Sequence, residues 1–176
     1  MQRVNVIGSS ASGKSTFSKQ LAARLGCPYI EMDRLFWQAD WQETDDETFF
    51  SKINQATDGD AWVLDGNYSR TQNVKWQHVD TIIWLDYSRW RTTYRAVKRA
   101  WMRSWTQQEL WPGTGNRESF SKSFFSRDSI IWWSIKNYRK NRVKYLLLKE
   151  ELQNSPIGFV HLTTPKMAEQ FLHQLK

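Results

Sequence analysis

At 176 residues, with 40% hydrophobic and 15% aromatic side chains, the chain is too apolar to be disordered and too short for two full domains, so a single domain over 1–176 is expected. One cysteine, Cys27, excludes an internal disulfide, and His78, His161 and His173 lack metal-ligand spacing. The net charge of +7 is concentrated in residues 86–149, which carry 15 Lys+Arg against 4 Asp+Glu, while 1–85 carry 8 against 11 and 150–176 carry 2 against 3. Such a segment can attract nucleic acid or small polyphosphates, and charge alone does not separate them.

The chain starts with a short apolar stretch, without a charged leader or a long apolar run. Neither a secretory signal nor a membrane span is expected, and the protein is placed in the cytoplasm. Residues 3–7 read as a buried strand. Residues 14–25 read as a helix with Phe17, Leu21, Ala22 and Leu25 on one face, stopped by Gly26 and Pro28. A second strand is predicted over 28–32 and a helix over 44–56, where Thr44 and Glu47 have capping-box spacing.

The apolar runs 61–65 and 81–86, bounded by polar turns, suit central parallel strands. A helix follows over 88–105, then a loop over 106–119 containing Pro112, Gly113 and Gly115. Residues 120–152 read as largely helical with a break near Arg127. Residues 157–162 form the last strand and 165–175 the closing helix, with Pro165 near its start. Strands alternating with helices predict an α/β fold on a five-stranded parallel sheet, with ligands at the carboxyl ends of the strands. The basic helical pair and its loop look like a lid.

Gly8-Ser9-Ser10-Ala11-Ser12-Gly13-Lys14-Ser15 matches GxxxxGK[ST] between a predicted strand and helix, the context in which the pattern denotes a phosphate-binding P-loop. Its backbone N–H groups and the following helix terminus, including Thr16, can cradle a triphosphate. Lys14 is expected at the β- and γ-phosphates and Ser15 at magnesium, so the expected cofactors are ATP and Mg2+. Asp65 ends a predicted strand and is either a second magnesium-side residue or a turn former with Gly66. Gly66 stands where ATP-driven motors carry a water-activating Glu. With no NKxD signature, transfer to a bound acceptor is favoured over hydrolysis.

Asp33, at the end of the second strand, suits the orientation or deprotonation of an acceptor hydroxyl, or else caps the segment 34–37. Trp37 and Trp41 lie beside it and could line an acceptor pocket, whereas Trp62, Trp84, Trp132 and Trp133 are expected in the core. Arg91, Arg95, Arg99 and Arg103 recur every four residues, flanked by Arg89 and Lys98. Like charges so stacked disfavour a helix unless an anion lies nearby. A second cluster, Arg139-Lys140-Asn141-Arg142, with Arg117 and Arg127 before it, supplies further lid cations. Spacing does not choose among them.

The elements Gly8 to Thr16, Met32-Asp33-Arg34-Leu35-Phe36-Trp37, Trp62-Val63-Leu64-Asp65-Gly66-Asn67-Tyr68-Ser69-Arg70-Thr71, Ile82-Ile83-Trp84-Leu85-Asp86 and Asn137-Tyr138-Arg139 resemble the adenylate-kinase-like P-loop kinases. The likeness is closest to small bacterial DNA topology modulation (FlaR-like) proteins. It implies a three-layer α/β/α P-loop NTPase fold with sheet order 2-3-1-4-5, an acceptor-binding region near 34–60 and a helical lid near 104–127. Residues 65–71 look like the D-G-F-P-R-T segment of adenylate kinases, with one extra residue before the arginine and no proline. By that likeness Arg70 holds an acceptor phosphate. The Asp33 region is similar rather to small-molecule kinases of the shikimate or gluconate type.

The expectation is therefore a nucleoside-monophosphate-kinase-like phosphotransferase that moves the γ-phosphoryl of ATP to a small acceptor. Lys14, Asp33, Arg70, Arg127 and Arg139 are its candidate catalytic groups, and Ser15 and Asp65 its metal ligands. The alternative is a nucleotide-dependent DNA-binding protein that docks on the basic segment.

Overall fold

A computed structural model describes residues 1–106, 109–117 and 130–175; among 130–134 only the Trp132 side chain is described. Arg127, and with it most of the second half of the expected lid, lies outside the described residues. The elements are β1 (Arg3–Gly8), α1 (Lys14–Leu25), β2 (Tyr29–Glu31), α2 (Met32–Phe36), α3 (Asp46–Ala56), β3 (Trp62–Asp65), α4 (Gln72–Lys75), β4 (Thr81–Leu85), α5 (Arg89–Thr106), α6 (Ile130–Glu151), β5 (Gly158–Leu162) and α7 (Pro165–Gln174). The five strands form one parallel sheet in the order β2-β3-β1-β4-β5, as expected.

Strand alternation sorts the core into two layers. Val4, Val6, Val63, Ile83 and Leu85 face Phe17, Leu21 and Ala22 of α1 and Ala168 and Leu172 of α7. Ile7, Leu64, Ile82, Trp62 and Trp84 face Phe36, Phe49, Ile53, Tyr145 and Leu148 of α2, α3 and α6. Trp62 and Trp84 are fully buried as predicted, and Trp62 Nε1 satisfies its N–H by donating to the Thr57 carbonyl at 3.0 Å.

Two local expectations are corrected. The cap of α3 is Asp45, whose carboxylate accepts from the Thr48 N–H at 2.8 Å, not a Thr44–Glu47 box. Thr44 is buried instead and donates its hydroxyl to the Phe36 carbonyl at 2.7 Å, tying the loop before α3 to the end of α2. Trp132 is 61% exposed rather than part of the core. The inward face of α6 is fixed by Tyr145, which meets Trp84 edge-on. Thirteen residues at 3.6 per turn place Trp132 about 220° from Tyr145, on the outer face.

A candidate phosphoryl-transfer site

The loop between β1 and α1 leaves the central strand at Gly8, where φ is 154° and a Cβ would stand 2.7 Å from the Leu85 carbonyl oxygen. Only glycine fits there. Ser9 to Gly13 then turn back, with the Ser12 N–H donating to the Ser9 carbonyl, and α1 opens at Lys14. The first N–H groups of α1 have no intrahelical acceptor and face the loop, as an anion cradle requires. Lys14 Nζ caps the Ser9 carbonyl at 3.3 Å.

Asp65, at the carboxyl end of β3, is 5% exposed. Its Oδ2 accepts from the Tyr29 hydroxyl at 3.2 Å, and its Oδ1 is buried with no hydrogen-bond partner. Burial raises the Asp65 pKa, opposed chiefly by Lys14 and by the Ser15 hydroxyl, and burial lowers the Lys14 pKa, opposed by Asp65 and Asp33. Desolvation thus disfavours the charged form of both groups, a cost that falls when ligand charges enter. A buried carboxylate with one oxygen unpartnered and a serine hydroxyl beside it fits a hard divalent cation, so Ser15 and Asp65 together suit magnesium. The position that a motor's Glu would take is closed: at Gly66, φ is 155° and a Cβ would lie 2.7 Å from Met32 Cβ.

Asp33 sits in the first turn of α2, and its Oδ1 accepts from the Tyr68 hydroxyl at 2.8 Å. Tyr68 is packed against Phe36 and Phe49. Burial and the neighbouring Asp33 carboxylate raise its pKa, so its proton stays on the phenol. Arg70 turns toward α3, 3.1 Å from Asp46, with its guanidinium 4.8 Å over the Phe36 ring.

Trp37, Trp41 and Trp111 form an edge-to-face chain with centroids 5.5 and 6.0 Å apart. Residues 109–117, from the first half of the expected lid, dock on this region. Asn116 accepts from the Trp41 N–H and donates to the Gln38 carbonyl, both at 2.8 Å. Trp111 Nε1 donates to Glu31 at 3.4 Å, beside Asp33.

From the arginine stripe of α5, two members reach the loop. Arg95 donates to the Ser12 carbonyl at 3.4 Å and lies against Gly13, and Arg99 donates to the Ser10 hydroxyl at 3.2 Å. Arg95 also borders a recess of about 530 Å³ lined by Gly13, Thr16, Tyr87, Pro165 and His173, which runs along the groove between α1 and α7. On α6, Arg142 is half-exposed with its Nε 3.0 Å from Asp86 Oδ2, Lys144 is partly buried and donates to the Ser69 hydroxyl, and Arg139 is exposed. Asp86 is shared with His161 at 3.0 Å, which stacks on Trp84.

Sequence reading passed over Asn67. Its side-chain amide pairs with both backbone groups of Gly8, accepting from the N–H at 3.0 Å and donating to the carbonyl. Its place after Asp65-Gly66, one strand away from the P-loop, was the available signal.

A parallel five-stranded sheet between helical layers, with a phosphate loop after β1 and a carboxylate at the end of β3, defines the P-loop kinase fold. The chain superposes on a gluconokinase from Sinorhizobium meliloti 1021 with a TM-score of 0.53 at 16% identity, covering 99% of this chain and 93% of that one. It superposes on a shikimate kinase from Bacteroides thetaiotaomicron with a TM-score of 0.56 at 11% identity, covering 99% and 96%. At these identities the likeness is one of fold. No family model matches the chain, and no curated protein sequence does.

Proposed function

We propose that the chain is an ATP-dependent phosphotransferase acting on a small-molecule acceptor. The observation that carries this reading is the convergence of Lys14, Asp65, Asp33, Arg95 and Arg99 around one loop at the carboxyl edge of the sheet. Gly8 to Thr16 wrap the phosphates, Lys14 bonds the β- and γ-oxygens, and Ser15 and Asp65 hold magnesium. Magnesium held there supplies charge neutralisation between the β- and γ-phosphates. The recess beside Thr16 and Arg95 is the proposed base pocket, and Arg99 faces charge developing on the transferred group.

Asp33, held by Tyr68, orients the acceptor hydroxyl and accepts its proton. Trp37, Trp41 and Trp111 wall the acceptor pocket within 34–60. Arg70 is the proposed ligand of an acidic acceptor group, reached by exchanging Asp46 for the ligand, and Arg127 and Arg139 are proposed lid cations. Kinship with FlaR-like proteins is proposed on the 32–37 and 62–71 elements, and a cytoplasmic location on the same reading.

A DNA-binding role without turnover is the second reading, supported by the charge of 86–149. The engagement of Arg95 and Arg99 with the P-loop weighs against it. ADP release should be screened against nucleoside monophosphates, nucleosides, and gluconate- and shikimate-like acids, with Lys14→Ala as control. An acceptor that stimulates release in the wild type and not in the variant supports transfer. Tight, steeply salt-dependent DNA binding with no stimulating acceptor overturns it.

A further inference from the structure

Helix α5 has three faces. Thr92, Ala96 and Ala100 are buried, and Arg95 and Arg99 turn to the P-loop. The third face lies opposite the buried one and carries Trp90, Tyr94, Val97 and Trp105 at spacings of four, three and eight. Trp90 is 86% exposed, Tyr94 68% and Trp105 81%, with Val97 among them at 39%. Rings of this size are ordinarily among the more buried side chains, so an exposed row of them marks an interaction surface.

The chemistry of the row selects the partner. The helix holds no acidic residue, and exposed Arg91 and Lys98 run along one edge of the row without interrupting it. Base-stacking surfaces interleave cations with rings to meet phosphates, whereas here the cations keep to one edge and Val97 within the row offers neither stacking nor charge. A second copy packed antiparallel on this face would bring two cationic edges together. A lipid headgroup layer takes up Trp and Tyr at its boundary and attracts flanking Lys and Arg. The row extends about 22 Å along the helix, at 1.5 Å per residue. No described helix is long and apolar enough to cross a membrane, so the geometry is that of a helix lying in the interface.

We propose that the outer face of α5 docks on an anionic bilayer surface. Wild-type protein should co-sediment with mixed phosphatidylglycerol–phosphatidylcholine vesicles, weakly with pure phosphatidylcholine, and less as salt rises. Brominated acyl chains should quench its Trp fluorescence. The triple variant W90S/Y94S/W105S should bind roughly tenfold or more weakly, and R91Q/K98Q should lose the preference for anionic lipid. Should the triple variant fail to fold, Trp105→Glu near the helix end carries the same expectation. Absence of wild-type binding to the anionic vesicles overturns the proposal, as does binding unchanged in the variants. So does a dimer that the triple variant dissolves, or duplex DNA retained through the same rings, in either case without vesicle binding.

Discussion

Lys75, the last residue of α4, is 2% exposed, and among the described residues no carboxylate shifts its pKa. Its surroundings are the Trp76 ring, 5.5 Å from Nζ, and a second ammonium, Lys144, which donates to the Ser69 hydroxyl. Burial, reinforced by Lys144, lowers the Lys75 pKa from 10.5 to about 7. At ~1.4 kcal/mol per pH unit, that difference amounts to roughly 5 kcal/mol of destabilisation when the group is charged. The folded chain holds fewer protons than the unfolded one between about pH 7 and 10.5, so stability rises with pH across that window.

Lys75→Met keeps the aliphatic volume and removes the charge. It also removes a cation–π contact worth about 0.5–2 kcal/mol. A net gain of about 2–4 kcal/mol at pH 6 is expected, or roughly 5–15 °C in Tm. Urea titrations at pH 6 and 9.5 read this directly: the variant should be the more stable at pH 6, and the difference should shrink by pH 9.5. A variant no more stable than wild type at pH 6, or a difference independent of pH, refutes the reasoning.

Asn67→Ala strands two backbone groups of Gly8 and should lower stability by about 1–3 kcal/mol, with ATP affinity down about tenfold, measured by urea melts and nucleotide titration. Asp65→Asn should abolish the magnesium enhancement of nucleotide binding while leaving metal-free binding in place. In the wild type the enhancement should weaken as pH falls through the raised Asp65 pKa, because protonation removes the anionic ligand; calorimetry at several pH values checks the direction. Asp86→Ala removes the partner of both Arg142 and His161 and should cost about 1–3 kcal/mol in thermal unfolding.

The sheet and the P-loop were legible because their signals are local and redundant. β3 and β4 are short, mostly apolar runs bounded by polar turns, and the GxxxxGK[ST] pattern carries its own strand and helix. Side-chain orientation at longer range was not. The four arginines of α5 have one spacing, and only the approach of the helix to Ser10 and Ser12 separates Arg95 and Arg99 from Arg91. Trp132 misled for the same reason: which face of α6 turns inward depends on Trp84, a strand residue that meets Tyr145. The Asp45 cap was masked by Thr44, which fits the capping pattern yet bonds backward to α2. Asn67 has no motif value on its own, and its role exists only because β1 and β3 are neighbours.

The paired hydrogen bonds between Asn67 and Gly8 continue the β1–β3 ladder one rung past Val6 and Asp65, with a side chain in place of a strand. The next residue, Tyr68, holds Asp33. Two consecutive residues thus join the P-loop to Asp33, which under the proposed function links the phosphate side of the site to the acceptor side. Substrate binding should then be synergistic: a nucleotide that settles the P-loop tightens the acceptor, and the acceptor tightens the nucleotide by the same factor, since linkage is reciprocal. On the proposed function, Asn67→Ala should weaken that mutual enhancement as well as nucleotide binding itself.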